Sequence, residues 1–164
     1  MKAALAGATS IRSAHSGEAG ALSALALRSK AHWGYDATFI EACRAELTVG
    51  PERFGRDVVT VLERDDVVRG FYVLAGAGDA GELDFFYIDP TCIGRGFGAL
   101  LWRHAVTVAR RRGHHRVIIH SDPHAEGFYR AMGARRVGEV PSGSIAGRSL
   151  PLMRFEIERH GKHP

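Results

Sequence analysis

Cysteine is scarce in this chain. Among 164 residues there are two, Cys43 and Cys92, far apart and in no metal or redox spacing. A disulfide framework has nothing to build on, and a reducing, cytoplasmic compartment is expected. Long hydrophobic runs are missing as well: no apolar stretch approaches the roughly 20 residues a membrane span needs. The N-terminal stretch MKAALAGATSIRSAHSG has one lysine and little apolar bulk, which makes a poor secretory signal. There is no internal repeat and no low-complexity tract, and the 20 glycines are scattered rather than pooled in a linker. A G-x-S-x-G elbow and a Walker loop ending in Gly-Lys-Ser/Thr are both absent, so neither a hydrolase elbow nor a P-loop is supported. Lysine is rare: 19 of the 22 basic residues are arginine.

What is present is ordinary for a globular protein, with 45% apolar and 24% charged residues. A chain of this length suits one domain, residues 1–164, able to bury about 70% of the surface its unfolded form exposes. The net charge of +4 suits an anionic ligand, a phosphate cofactor or nucleic acid equally well.

Periodicity gives the element order. A short strand is expected at Ser10 to Ala14, then a helix from Glu18 to Ala31 with Leu22, Leu25, Ala26 and Ser29 on one stripe. An aromatic corner, His32-Trp33-Gly34-Tyr35, precedes a second helix capped by Asp36 and stopped by Gly50-Pro51. Three strands follow with short turns: Val58 to Glu63, Val67 to Ala75 and Glu82 to Ile88. Then come a helix from Gly98 to Arg112, a strand at Arg116 to His120, a helix over Ala125 to Met132, and strands at Arg135 to Val140 and Leu150 to Ile157. The order β-α-α-β-β-β-α-β-α-β-β predicts an α/β fold, a mixed sheet with helices on its faces. Either late helix could connect parallel strands.

The most informative segment is Asp89-Pro90-Thr91-Cys92-Ile93-Gly94-Arg95-Gly96-Phe97-Gly98-Ala99. A strand ends, a glycine-rich turn follows and a helix begins. Glycines let backbone N–H groups converge without Cβ obstruction, and the helix start adds free donors and a partial positive charge. That combination suits a phosphate group. Gly94-x-Gly96-x-x-Ala99, with Asp122 ending the next strand, also fits a loose dinucleotide fingerprint and a small oxidoreductase. Against it, Asp89 to Ile93 separate strand from glycines, and too few βα units remain for a doubly wound sheet.

The segment Ile93 to Gly98 resembles the pyrophosphate-binding motif [QR]-x-x-G-x-[GA] of the GNAT superfamily of N-acetyltransferases, with Ile93 where Gln or Arg is usual. Downstream, Asp122-x-x-Ala125-x-x-x-Tyr129 resembles the family's N-x-x-A-x-x-x-Y, with Asp122 in the Asn place. The element order is similar from the first strand to the last. The resemblance implies a mostly antiparallel sheet splayed at a cofactor cleft, and acetyl-CoA as acyl donor. It implies that backbone groups of Phe86, Tyr87 and Ile88 pair with the pantetheine arm. The pyrophosphate would then rest on amides of Gly94, Arg95, Gly96, Phe97, Gly98 and Ala99, with Ile93, Asp122 and Tyr129 completing the cofactor site. Tyr129 is implied as the general acid: a phenol with pKa near 10 stays protonated at neutral pH and can protonate a departing thiolate. Trp33 and Tyr35 are implied as an aromatic wall for the acceptor, opposite the last hairpin.

A base is also needed, because an amine with pKa about 10.4 is only about one part in 2,500 neutral at pH 7. Strand alternation puts Glu82, Asp84, Phe86 and Ile88 on one face, and either acid could hold a water that takes the proton; a bulge would swap the faces. The expected acceptor is a primary amine of a small molecule or peptide, with the protein a monomer or homodimer. A non-catalytic sensor of acetyl-CoA is the alternative. No metal is expected: His120-x-Asp122-x-His124 has the ligand types, but Pro123 breaks the element between them and no further ligand cluster is visible. The run Arg110-Arg111-Arg112-Gly113-His114-His115-Arg116 reads as cations at a helix C-terminus, not a nucleic-acid patch, because no aromatic platform is interleaved with it.

Overall fold

The structure, a computed structural model, describes residues 7–158; residues 1–6 of the stretch weighed as a secretory signal lie outside them. Among the described residues no helix is long and apolar enough to cross a membrane.

Seven strands form one sheet in the order β1-β2-β3-β4-β5-β7-β6. They are β1 (Thr9–Ser13), β2 (Val58–Arg64), β3 (Val67–Ala75), β4 (Ala80–Ile88), β5 (Arg116–His120), β6 (Arg135–Pro141) and β7 (Ser149–Glu156). The helices are α1 (Ala19–Ala31), α2 (Ala37–Cys43), α3 (Arg53–Arg56), α4 (Phe97–Arg111) and α5 (Glu126–Ala131). Every neighbouring pair is antiparallel except β4 and β5, which run parallel. The α4 crossover therefore links parallel neighbours, as expected. The α5 crossover also joins strands that run parallel, β5 and β6, with β7 lying between them and pairing antiparallel with both. The short α3 was not legible in the sequence, because Arg53-Phe54-Gly55-Arg56 is too brief to show a period.

Each sheet face carries its own core. On one face α4 buries Leu101, Trp102, Ala105 and Ala109 against Leu74, Leu83, Val117 and Ile119. On the other, α1 buries Leu22, Leu25 and Ala26 against Val59, Val61, Phe71 and Phe85. Asp36 caps α2, its carboxylate accepting from the Phe39 N–H at 2.8 Å. The tight turn between β2 and β3 places Asp65 and Asp66 at φ 52° and 63°, a left-handed pair that matches the twist of a hairpin.

Two irregularities place the site. The β3–β4 register steps from Val73↔Phe85 to Leu74↔Leu83, so Asp84 is the extra residue of a bulge. The bulge overturns the simple alternation. Leu83, Phe86 and Ile88 pack toward α4, while Phe85 and Tyr87 pack toward α1. Glu82, opposite Leu83, shares the α1 face, not the face of Phe86 and Ile88. The second irregularity is an opening. β4 and β5 are bonded only from Ala80↔Arg116 to Glu82↔Ile118. Beyond Glu82 and Ile118 the strands part.

Candidate active site

The glycine-rich loop follows β4 on the α4 side of this opening. Asp89, buried, accepts from the Thr91 N–H at 3.0 Å and the Thr91 hydroxyl at 2.6 Å, which fixes the short turn Pro90–Cys92. Gly94 and Gly96 have φ of 79° and 87°, and Gly96 is the N-cap of α4. Neither would meet any atom within 4 Å if it carried a Cβ. The space above both glycines is open, and the first N–H groups of α4 lack carbonyl partners within the helix. Gly98 is small for another reason: a Cβ there would stand 3.1 Å from Phe128 of α5. The loop and helix start thus form a cradle that fits a phosphate group. Arg95 and Phe97 turn away from it. Phe97 is buried in the core, and the Arg95 guanidinium sits 5.8 Å from the Phe97 ring centroid.

A cavity of about 450 Å³ runs from this loop into the opening, lined by Ile93, Gly94, Gly96, Gly98 and Ala99 at one end and Phe86, Ile88 and Tyr129 further in. A second cavity, about 320 Å³, lies on the α1 face, lined by Glu46, Arg53, Glu82 and Phe85 among others. Lys30, Leu83, Asp84, Tyr87, His120 and Asp122 line both. The two cavities therefore meet where β4 and β5 part.

Tyr129 is 4% exposed and its hydroxyl has no hydrogen-bond partner among the described residues. Its ring packs edge-on against Trp102 at 5.7 Å and Phe86 at 6.1 Å. Burial pushes its pKa up, and the neighbouring Tyr87 and Asp122 push it further. Tyr87 is raised as well, first by burial and then by Asp122. Both phenols are held protonated.

Of the two acids put forward as bases, Asp84 accepts from Arg53 at 2.6 Å, and Arg53 also reaches Asp57 at 3.1 Å. Glu82 is exposed, lines the smaller cavity only, and has no partner among the described residues. Asp122 occupies a different role from a loop asparagine. It accepts from the Lys30 ammonium at 2.5 Å, from the Tyr35 hydroxyl at 2.9 Å and from the His124 N–H at 2.8 Å. Arg148 from the last hairpin donates to the Tyr35 oxygen at 2.6 Å and lies 4.7 Å from the Phe39 centroid. Tyr35 is thus tied into this network, stacked on Phe39, and lines neither cavity. Its pKa is pushed up to about 12, first by burial and then by Asp122. Trp33 does line the larger cavity, stacked flat on His124 at 5.2 Å. The contacts of Asp122 and His124 bind α1 to the segment after β5, across the opening. The His120-Asp122-His124 string does not converge; among the described residues no group of three or more His, Cys, Asp or Glu could hold a metal ion.

Lys30, Arg53 and Arg148 had no place in the sequence reading. For Lys30 a signal existed. It stands four residues after Ala26, on the border of the buried stripe of α1 and one turn from Leu27, where an unpaired charge is costly. Arg53 and Arg148 carried none: one opens the four-residue α3 and the other lies in the loop before β7, and the approach of both to the site depends on tertiary packing.

Comparison with known proteins bears on the family and the fold. The peptidyl-lysine N-acetyltransferase YjaB of Salmonella typhimurium is 33% identical over 95 residues, 58% of this chain and 60% of that protein. The structure of PaiA N-acetyltransferase from Thermoplasma acidophilum, in complex with coenzyme A, superposes with a TM-score of 0.74 at 17% identity, covering 91% of this chain and 99% of that one. The ribosomal-protein-S18-alanine N-acetyltransferase of Escherichia coli gives 0.69 at 16% identity, over 96% and 99% of the two chains. At such identities these two structures speak for the fold. The family model described as acetyltransferase (GNAT) family matches residues 24–134, from the middle of α1 to the end of the α5 turn. That match takes in well over half of the sequence, and the chain belongs to the GNAT acetyltransferase family.

Proposed function

We propose that this protein transfers an acetyl group from acetyl-CoA to a primary amine of a small molecule or peptide, by direct attack on the thioester. The observation that carries the reading is the pair of cavities meeting at the β4–β5 opening. One has a phosphate cradle at its end, and the other is lined by carboxylates. Family membership supports it, as does the coenzyme A bound to PaiA in the same fold. The name of the Salmonella relative favours a lysine side chain among acceptors.

In this reading the amides of Gly94 to Ala99 hold the pyrophosphate, with Ile93 beside them. The backbone of Phe86, Tyr87 and Ile88, whose edge toward β5 is unpaired, takes the pantetheine arm. Strand amides at the opening stabilise charge on the carbonyl oxygen. Tyr129 donates its proton to the departing sulfur. Glu82 and Asp84 border the path of the acceptor, and Glu82 is free to hold a water there. Trp33 closes one wall, and Asp122 and Tyr35 brace the opening. Both cysteines are buried and unpaired, which favours the cytoplasm.

Gly96→Ala gives a graded test of the cradle. A Cβ at φ 87° costs about 1–2 kcal/mol, so the free loop relaxes out of the binding geometry. Only a fraction of molecules then remains competent, and coenzyme A binding is expected to weaken roughly 5- to 30-fold by calorimetry. An unchanged Kd would remove the cradle from the site.

The cofactor is tested by thermal unfolding with acetyl-CoA, coenzyme A and a nicotinamide dinucleotide in parallel. At about 100 times Kd a bound ligand adds about 2.7 kcal/mol, or roughly 5–10 °C for a chain of this size. Shifts with the two coenzyme A species alone are expected. A shift with the dinucleotide alone would sink the reading.

A further inference from the structure

We propose that His120, at the end of β5, is the base that takes the proton from the acceptor amine. This rests on the acetyl-transfer reading above. Donor and acceptor must meet where the two cavities join, so the base belongs among the residues that line both. Leu83 has no proton chemistry. Lys30 and Asp122 are committed to each other at 2.5 Å. Asp84 is committed to Arg53 at 2.6 Å. Tyr87 is a phenol held protonated by burial. His120 alone of the six is a side chain able to take a proton that makes no hydrogen bond, ion pair or ring contact among the described residues.

Its position follows from the sheet. The last bonded pair of β4 and β5 is Glu82↔Ile118. His120 comes one pleat later, on the face of Ile118, and so stands on the lip of the opening. Glu82 stands one pleat earlier, where the strands are still joined, and lines the acceptor cavity only. Glu46, the remaining carboxylate of that cavity, accepts from the Ser144 hydroxyl of the last hairpin. His120 is exposed, so a proton gained there can leave to water.

The proton balance closes. An acceptor arrives as an ammonium, and His120 takes one proton from it and passes that proton to solvent. The amine nitrogen bonds to the carbonyl carbon, and the carbon–sulfur bond breaks. Tyr129 gives its proton to the sulfur and is restored by the second proton leaving the nitrogen. The products are an amide, a free thiol and one proton.

The test is kcat/KM against pH, read as thiol release from acetyl-CoA with a lysine peptide, a polyamine and a free amino acid as acceptors. Cys43 and Cys92 are 3% and 4% exposed and stay out of the thiol readout. Wild type is expected to lose kcat/KM on the acid side, where a general base can no longer accept a proton. His120→Gln is expected to fall about 10²-fold and to lose that limb, with its coenzyme A thermal shift intact. Added imidazole should restore part of the rate of His120→Ala. Glu82→Gln should keep the acid limb, whatever its rate. A His120→Gln enzyme with the wild-type limb, or a limb that disappears in Glu82→Gln instead, would overturn the assignment and leave acetyl transfer standing. Absence of any transfer by wild type that binds coenzyme A would overturn both.

Discussion

Tyr129→Phe is expected to lower kcat by about 10²–10³ with every acceptor, the usual scale for a proton-transfer residue. The substitution removes one oxygen and leaves the ring. Its packing against Trp102, Phe86 and Phe128 survives, so the α4-side core should hold. No hydrogen bond is broken among the described residues, because the hydroxyl makes none. Coenzyme A affinity and melting temperature should therefore stay near wild type while turnover collapses. The raised pKa sets the pH behaviour. The phenol remains a donor through neutral and mildly alkaline pH, so it adds no alkaline decline below its ordinary value of about 10. Stopped assays of kcat alongside calorimetric Kd separate the two effects. Turnover within a few-fold of wild type would remove Tyr129 from the chemistry and leave it a core aromatic.

Asp122→Ala is expected to cost about 3–5 kcal/mol of stability, because it strands a buried cation. The side chains of Lys30 and Asp122 are only 11% and 12% exposed. Without the carboxylate the ammonium has no counter-charge, and Tyr35 loses its acceptor. For a domain of this length the melting temperature should fall by roughly 6–20 °C. Lys30→Met in the same molecule should recover part of the loss, since no charge is then left unpaired. A double variant as unstable as the sum of the two singles would contradict the coupling. The pair also predicts an acid dependence. Burial alone would raise the Asp122 pKa; hydrogen bonds from Lys30, the His124 N–H and Tyr35, with the Lys30 charge, outweigh it and leave the carboxyl below its ordinary range. A depressed folded-state pKa contributes stability above the unfolded value of about 3.9, lost as pH falls through the folded one. The gap between wild type and Asp122→Ala should therefore narrow below about pH 4.

Much of the fold could be read from the chain alone. Alternation and short turns marked β3 from Val67 to Ala75 and β5 from Arg116 to His120 with the bounds observed. The glycine loop and the Asp122–Tyr129 spacing pointed to the cleft because both are local in sequence. What escaped was set by long-range geometry. A bulge in β4 swaps the faces of its acids, but nothing in residues 82–88 says where the extra residue falls; at Asp84 it moves Glu82 to the α1 face. Tyr35 suggested an aromatic wall, but its partners Asp122 and Arg148 lie 87 and 113 residues away. His120 was noticed only inside a metal-like string. Its place at the lip follows from where β4 and β5 separate, a tertiary fact.

The most direct measurement is the mass of the acceptor. The purified chain is mixed with acetyl-CoA and each of a lysine peptide, a polyamine and a free amino acid, and the amines are weighed by mass spectrometry. The expected result is one acetyl group gained by at least one primary amine, in step with thiol release, with Tyr129→Phe slowed about 10²–10³-fold on the same acceptor. Thiol release with no acetylated amine, or tight coenzyme A binding with neither, would contradict acetyl transfer and leave a protein that binds the cofactor without using it on an amine.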